Sequence, residues 1–183
     1  MTPRDRDATN AALRHTLVDR FLCGIHFYSG QEILLVDALD DRPAPIQREA
    51  FIHVGSRWRL YDPLPNALPA SEEEMDAQPL SELCRIAGEL QPHRIVDASV
   101  SDDVPHLTIR FENSQTLFLN GHHDQFEPWE VSTGDFTIVC CPSDAIALWA
   151  PESFLAPAPD RTSGGALSSL AEARGHRRGR LRR

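Results

Sequence analysis

The chain has 183 residues, 41% of them hydrophobic and 25% charged, with a net charge of −9, enough apolar material for one packed domain. All 18 basic residues are arginine, and the lack of lysine excludes Schiff-base, pyridoxal-phosphate, P-loop and Ser-Lys chemistries. Residues 1–160 hold 26 acids against 11 arginines, and residues 161–183 hold seven arginines against Glu172, so the body disfavours phosphate backbones and favours a basic partner.

In chain order, Met1–Asp7 carries charges with no hydrophobic segment behind them, so no secretory signal is expected and the expected location is cytoplasmic. Ile33-Leu34-Leu35-Val36 is a typical apolar maximum, far short of the roughly 18 residues that span a bilayer, so no membrane span is expected. A short helix is expected around Asp7 to Arg14. Ile25-His26-Phe27, a Ser29-Gly30 turn and Ile33–Val36 then read as a hairpin. Arg57-Trp58-Arg59 alternates, with both arginines on one face. It suits an edge strand, and only secondarily a phosphate or base-stacking patch.

Pro63-Leu64-Pro65-Asn66-Ala67-Leu68-Pro69 is a linker that cannot be a central strand. Ser71-Glu72-Glu73-Glu74 has capping-box spacing, although Pro79 could instead open a shorter helix. Leu80, Leu83, Ala87 and Leu90 form its apolar stripe, flanked by Cys84 and Ile86. Leu107, Ile109 and Phe111 alternate with polar residues toward an Asn113-Ser114 turn, a second hairpin. Strands are expected at 129–132, 136–141 and 145–150. Beyond Pro151, Pro157, Pro159, Ser163-Gly164-Gly165 and the arginine-dense end cannot build a core, so 152–183 is expected to be a disordered tail. A weak helix near Ala166–Arg174 is the one element it suggests.

Two stretches match. His15-x-Leu17-Val18-Asp19 followed by Ile25-x-Phe27 parallels His93-x-Ile95-Val96-Asp97 followed by Ile109-x-Phe111. Gly55 precedes Pro63 by eight positions, as Gly134 precedes Pro142. This suggests an internal duplication. The expected fold is α+β, mainly antiparallel β, one domain over 1–151 built of two hairpin-containing units (about 7–63 and 80–151). Each unit follows a short helix, and the Pro-rich linker lies between them.

The polar run Asn120-Gly121-His122-His123-Asp124-Gln125-Phe126-Glu127 holds the candidate site residues. His122, His123 and Asp124 could bind a partner, or supply ligands or acid–base groups for a metal-dependent enzyme. Their spacing is not diagnostic of a metal, and Asn120-Gly121 is a turn signal, so a solvated loop is the simplest expectation. Glu127, Trp129 and Glu130 raise an interface hot spot for a basic protein against a core Trp129 packed on Trp149 with acids at its rim. Cys23, Cys84, Cys140 and Cys141 have no C-x-x-C spacing and read as buried structural thiols. No G-x-S-x-G, G-x-G-x-x-G or H-E-x-x-H motif occurs, so neither a cofactor nor a catalytic residue is expected.

Phe126-Glu127-Pro128-Trp129-Glu130 and Pro142-Ser143-Asp144-Ala145-Ile146-Ala147-Leu148-Trp149 resemble an uncharacterised bacterial family. Its pattern is a hairpin, a Y-E-x-W-E segment and a closing P-x-x-x-L-A-V-W strand. The resemblance covers His93–Ala150, about a third of the chain, and carries over no catalytic residue. Some small families of this type sit beside toxin genes as immunity proteins. The expected function is therefore a non-enzymatic protein-binding module, immunity-like, recognising a basic partner. A small metal-dependent enzyme on the His122-His123-Asp124 loop and a scaffolding domain are the alternatives. Nucleic acid is left only to the arginine-rich tail.

Overall fold

The computed structural model describes residues 2–28, 31–37 and 50–155. The expected Ser29-Gly30 turn and the expected tail beyond Leu155 lie outside the described residues.

The first helix is longer than its sequence pattern suggested. α1 runs Pro3–Leu17 because Thr2 caps it: the Thr2 hydroxyl accepts from the Asp5 amide at 3.2 Å, and Pro3 occupies the first turn. Asp5 near its start and Arg14 and His15 near its end complement the helix dipole. Thr9, Ala12, Leu13, Thr16 and Leu17 fall on one buried face. Asp19, at φ 66°, then turns the chain into β1 (Phe21–Tyr28).

β1 and β2 (Gln31–Asp37) form an antiparallel hairpin, and β3 (Ala50–Val54) pairs with β2. The chain next enters β4 (Trp58–Tyr61), which belongs to another sheet. The Pro-rich linker follows without regular structure. The capping-box expectation needs correction: Glu72–Glu74 is one 3₁₀ turn with no cap from the Ser71 side chain. The Glu74 carboxylate instead accepts from the Ala70 amide at 2.9 Å. Helix α2 (Leu80–Leu90) begins after Pro79 and buries Leu83, Ile86, Ala87 and Leu90. Leu80, expected in that stripe, is 56% exposed, because the buried face begins one turn later.

β5 (Ile95–Val100), β6 (Leu107–Phe111) and β7 (Thr116–Leu119) form a meander whose Ser114 takes the left-handed φ that the Asn113-Ser114 turn requires. Leu107, Ile109 and Phe111 face the core, and all of β7 is buried on both faces. β8 (Trp129–Ser132), β9 (Thr137–Cys141) and β10 (Ala145–Trp149) close the body. The short α3 (Glu152–Leu155) docks by Phe154 against Phe136, at 5.0 Å between ring centroids, and His15, at 5.8 Å. The packed chain thus runs four residues past the expected boundary at 151.

The architecture is α+β and mainly antiparallel. One sheet has the order β1-β2-β3-β8-β9-β10, the other β4-β7-β6-β5. A continuous apolar core joins α1, α2 and both sheets. The two sequence halves do not sit side by side as separate units, since β3 pairs with β8 and β4 with β7. The matched H-x-Φ-V-D segments also differ, 15–19 ending a helix and 93–97 entering a strand.

Five residues lie elsewhere than the sequence suggested. Trp149 does not pack on Trp129: it is 59% exposed at the end of the sheet-edge strand β10, whereas Trp129 is 1% exposed. Cys23 and Cys84 are exposed, being on the outward faces of β1 and α2, and only Cys140 is fully buried. Asn120 and Gly121, expected in a solvated loop, are buried.

Candidate functional site

The site is created by a mismatch in length. Two adjacent strand pairs carry the chain between the sheets, β3 to β4 in one direction and β7 to β8 in the other. Val54 is opposite Trp129 in one sheet and Trp58 is opposite Leu119 in the next. Between those pairs, three residues (Gly55–Arg57) face nine (Asn120–Pro128). The longer crossing is anchored at both ends and bulges in the middle.

The anchors are polar, and on the longer crossing they fall on the buried Asn120, Gly121 and Pro128. The Gly55 amide donates to Pro128 O at 2.9 Å, the Asn120 amide to Arg57 O at 3.0 Å, and Ser56 Oγ to Asn120 O at 2.6 Å. Asn120, with no exposed surface, donates its Nδ2 to His122 O at 2.8 Å. Gly121 is held on both sides, its N–H donating to His106 Nδ1 at 3.0 Å and its carbonyl accepting from Cys140 Sγ at 3.2 Å. Only glycine fits there, because a Cβ would lie 2.1 Å from Pro105 O. Burial pushes the Cys140 thiol up, so it stays a neutral donor rather than a nucleophile. Trp129 completes the base by donating Nε1 to Pro105 O at 2.9 Å. Trp129 is therefore core, as its alternative reading had it.

Above this base the six sequence candidates separate. His122 Nδ1 lies 2.8 Å from Asp144 Oδ1, which ties the crossing to the β9–β10 turn. Asp144 and Ser143 hold left-handed φ values of 59° and 63°, which aim that turn's carboxylate at the imidazole. The hydrogen bond to Asp144 raises the His122 pKa above the ordinary range, against a smaller opposing effect of burial. His123 points elsewhere: its Nδ1 accepts from the Gln125 and Phe126 amides, each at 3.0 Å, and its ring meets Phe126 at 4.8 Å. Asp124 and Glu127 are exposed, and Glu130 is half-buried on the sheet.

The bulge makes two clefts that share Gln125. One, of about 400 Å³, lies between the 3₁₀ turn (Ser71, Glu72, Glu73) and His122, His123 and Asp124. The other, of about 440 Å³, is walled by His53, Phe126, Glu127 and Glu130. Phe126, with 64% of its surface exposed, lines the second against the ring of His123, which lines the first. Neither cleft is lined by an arginine, and among the described residues Asp124, Glu127 and Glu130 make no ion pair. Glu73 has its pKa lowered, chiefly by a hydrogen bond from Ser71, so it is ionised at neutral pH.

The Arg57-Trp58-Arg59 stripe has a structural role. The Arg57 amide donates to Glu72 Oε1 at 2.7 Å, and its guanidinium reaches the Glu72 carbonyl, at 2.9 Å, and that of Met75. Arg59 meets the Asp76 carboxylate at 3.8 Å, and Trp58 is buried. These arginines pin the acidic turn beside the cleft. His122 and His123 each commit Nδ1 to a protein partner, and among the described residues no three His, Cys, Asp or Glu side chains converge as metal ligands.

Sequence reasoning missed Glu72, Glu73, His53, His106 and Asp144. The outward position of His53 was legible from its alternation with Ile52 and Val54. The others come from distant segments, and no local spacing marks them. No family model, curated protein or solved structure matches the chain. No described helix is long and apolar enough to cross a membrane.

Proposed function

We propose that this chain is a protein-binding module that recognises a basic protein segment through the paired clefts of the Asn120–Pro128 crossing. One observation carries the proposal: two adjoining clefts lined by five carboxylates (Glu72, Glu73, Asp124, Glu127, Glu130), with an exposed Phe126 lining one of them and no lining arginine. Carboxylates beside an open aromatic ring suit arginine, whose guanidinium stacks on a ring while donating to oxygen. Steering by the acidic body would speed the encounter and make it sensitive to salt. The resemblance of the Phe126–Glu130 and Pro142–Trp149 segments to a bacterial family supports the narrower reading of an immunity-like partner for a basic toxin-type protein.

The test is fluorescence anisotropy with a labelled, arginine-containing peptide and a composition-matched acidic control. The arginine peptide is expected to bind saturably, and Glu127→Gln with Glu130→Gln to weaken it by about tenfold. Equal binding of both peptides, or an unchanged affinity in the double variant, would sink the proposal.

A further inference from the structure

Two histidines hold the crossing, and their hydrogen bonds demand opposite proton states. His106 accepts the Gly121 N–H on Nδ1, which an imidazole nitrogen does only when that nitrogen carries no proton. The ring is 5% exposed and lies against Phe118, 5.0 Å between centroids, with no carboxylate among the described residues in hydrogen-bond contact. One residue beyond Gly121, His122 sets Nδ1 against the Asp144 carboxylate, an acceptor. There the nitrogen must carry the proton, and the bond is strongest for the imidazolium.

We propose that the Asn120–Glu127 segment is a proton-gated element, locked while His106 is neutral and His122 is charged, and loosened when either condition fails. Its functional meaning, that proton concentration regulates access to the clefts, rests on the binding function proposed above. The lock itself does not.

The groups around both rings set the direction. Burial is the main influence holding His106 below the ordinary histidine value. Asp144 opposes it and His122 adds to it, while the neighbouring Cys140 thiol stays neutral. His122 is raised by Asp144 first, with the Asp124 and Glu73 charges adding. In the unfolded chain both titrate near 6.5. A depressed His106 contributes stability that is full above 6.5 and is lost as pH falls below it. A raised His122 contributes stability that is full below 6.5 and is lost as pH rises through its folded value. Both contributions coexist only in a band just above 6.5.

The acid side is the stronger limb. Protonated His106 would face the Gly121 donor with a donor of its own inside the core. Gly121 cannot retreat toward Pro105, whose carbonyl already fills the space a Cβ would take. Acid therefore displaces the crossing. The alkaline limb removes only the charge from a half-exposed pair, a smaller effect.

The experiment is amide hydrogen exchange, followed by NMR on the full chain, for Gly121 and for Ile109 as an internal reference. From about pH 7 to about pH 5 the Gly121 protection factor is expected to fall about tenfold while that of Ile109 holds. His106→Gln, whose side-chain carbonyl accepts at any pH, should abolish the fall, and His122→Gln should keep it. A Gly121 protection factor that ignores pH, or an equal fall in His106→Gln, overturns the proposal. Should His106→Gln not fold, the native chain decides. A common midpoint for the His106 ring and Gly121 amide titrations supports the lock, and separate midpoints overturn it. None of these readouts uses a partner, so failure of peptide binding and failure of the gate are distinguishable.

Discussion

The two crossings between the sheets differ in what their residues are for. Gly55–Arg57 is short and nearly all anchor: its amide, hydroxyl and carbonyl groups close onto Pro128 and Asn120. Asn120–Pro128 is anchored at its ends and, through His122, to Asp144, and the excess length beyond that tie projects Asp124, Gln125, Phe126 and Glu127 to the surface. By contrast, the β8–β9 turn, whose Gly134 matches Gly55 in its spacing to a later proline, closes on itself. The Thr133 amide donates to Phe136 O at 2.8 Å, and Thr133 Oγ1 accepts from Asp135 and Phe136. Equal spacing thus gave a self-closed hairpin in one place and a sheet-to-sheet crossing in the other. A surface for function arises where a turn has more chain than its partner needs.

The sharpest way to break the contrast is at its two glycines. Gly121→Ala should cost about 3 kcal/mol in chemical denaturation, because its Cβ meets a backbone carbonyl that cannot swing away. Gly55→Ala, whose Cβ would lie 2.6 Å from Glu127 O, a milder overlap than at Gly121, should cost nearer 1–2 kcal/mol, roughly half as much. A Gly55 variant as costly as the Gly121 one would mean that both crossings are equally rigid. The tryptophans extend the same comparison. Trp129→Phe strands the buried Pro105 carbonyl and should lose about 2 kcal/mol. The exposed Trp149→Ala should stay within about 0.5 kcal/mol, measured by the same melts.

Smaller still is the effect of the surface tie. His122→Ala should change stability by no more than about 1 kcal/mol, since its pair with Asp144 is partly solvated. Its signature is the pH profile. The variant should lose the decline in stability as pH rises above 6.5 while keeping the acid decline that His106 causes. Urea midpoints across that range read both limbs, and a variant profile superimposable on the native one would remove His122 from the account.

Much of the fold was legible locally, because period-two alternation at Leu107–Phe111, turn chemistry at Asn113-Ser114 and helical spacing through Leu90 each bury a face whatever lies opposite. Local pattern misled where burial depends on a partner. Leu80, Cys84 and Cys23 have apolar or thiol side chains that the fold leaves exposed, and Trp149 ends an edge strand. Asn120-Gly121 is a turn signal that the second crossing buries.

The sequence by itself determined an acidic, lysine-free body, its α+β class, its strands other than β3 and β5, and the polar character of residues 120–127. Only the tertiary structure decided that β3 and β4 part company, that Glu72 and Glu73 stand across from His122, that His106 and Cys140 bracket Gly121, and that Asp144 meets His122. Hydrophobic periodicity specifies which face of each element is buried. It does not specify which distant element supplies the hydrogen-bond partner, because that depends on register and on the relative lengths of chains crossing the same gap.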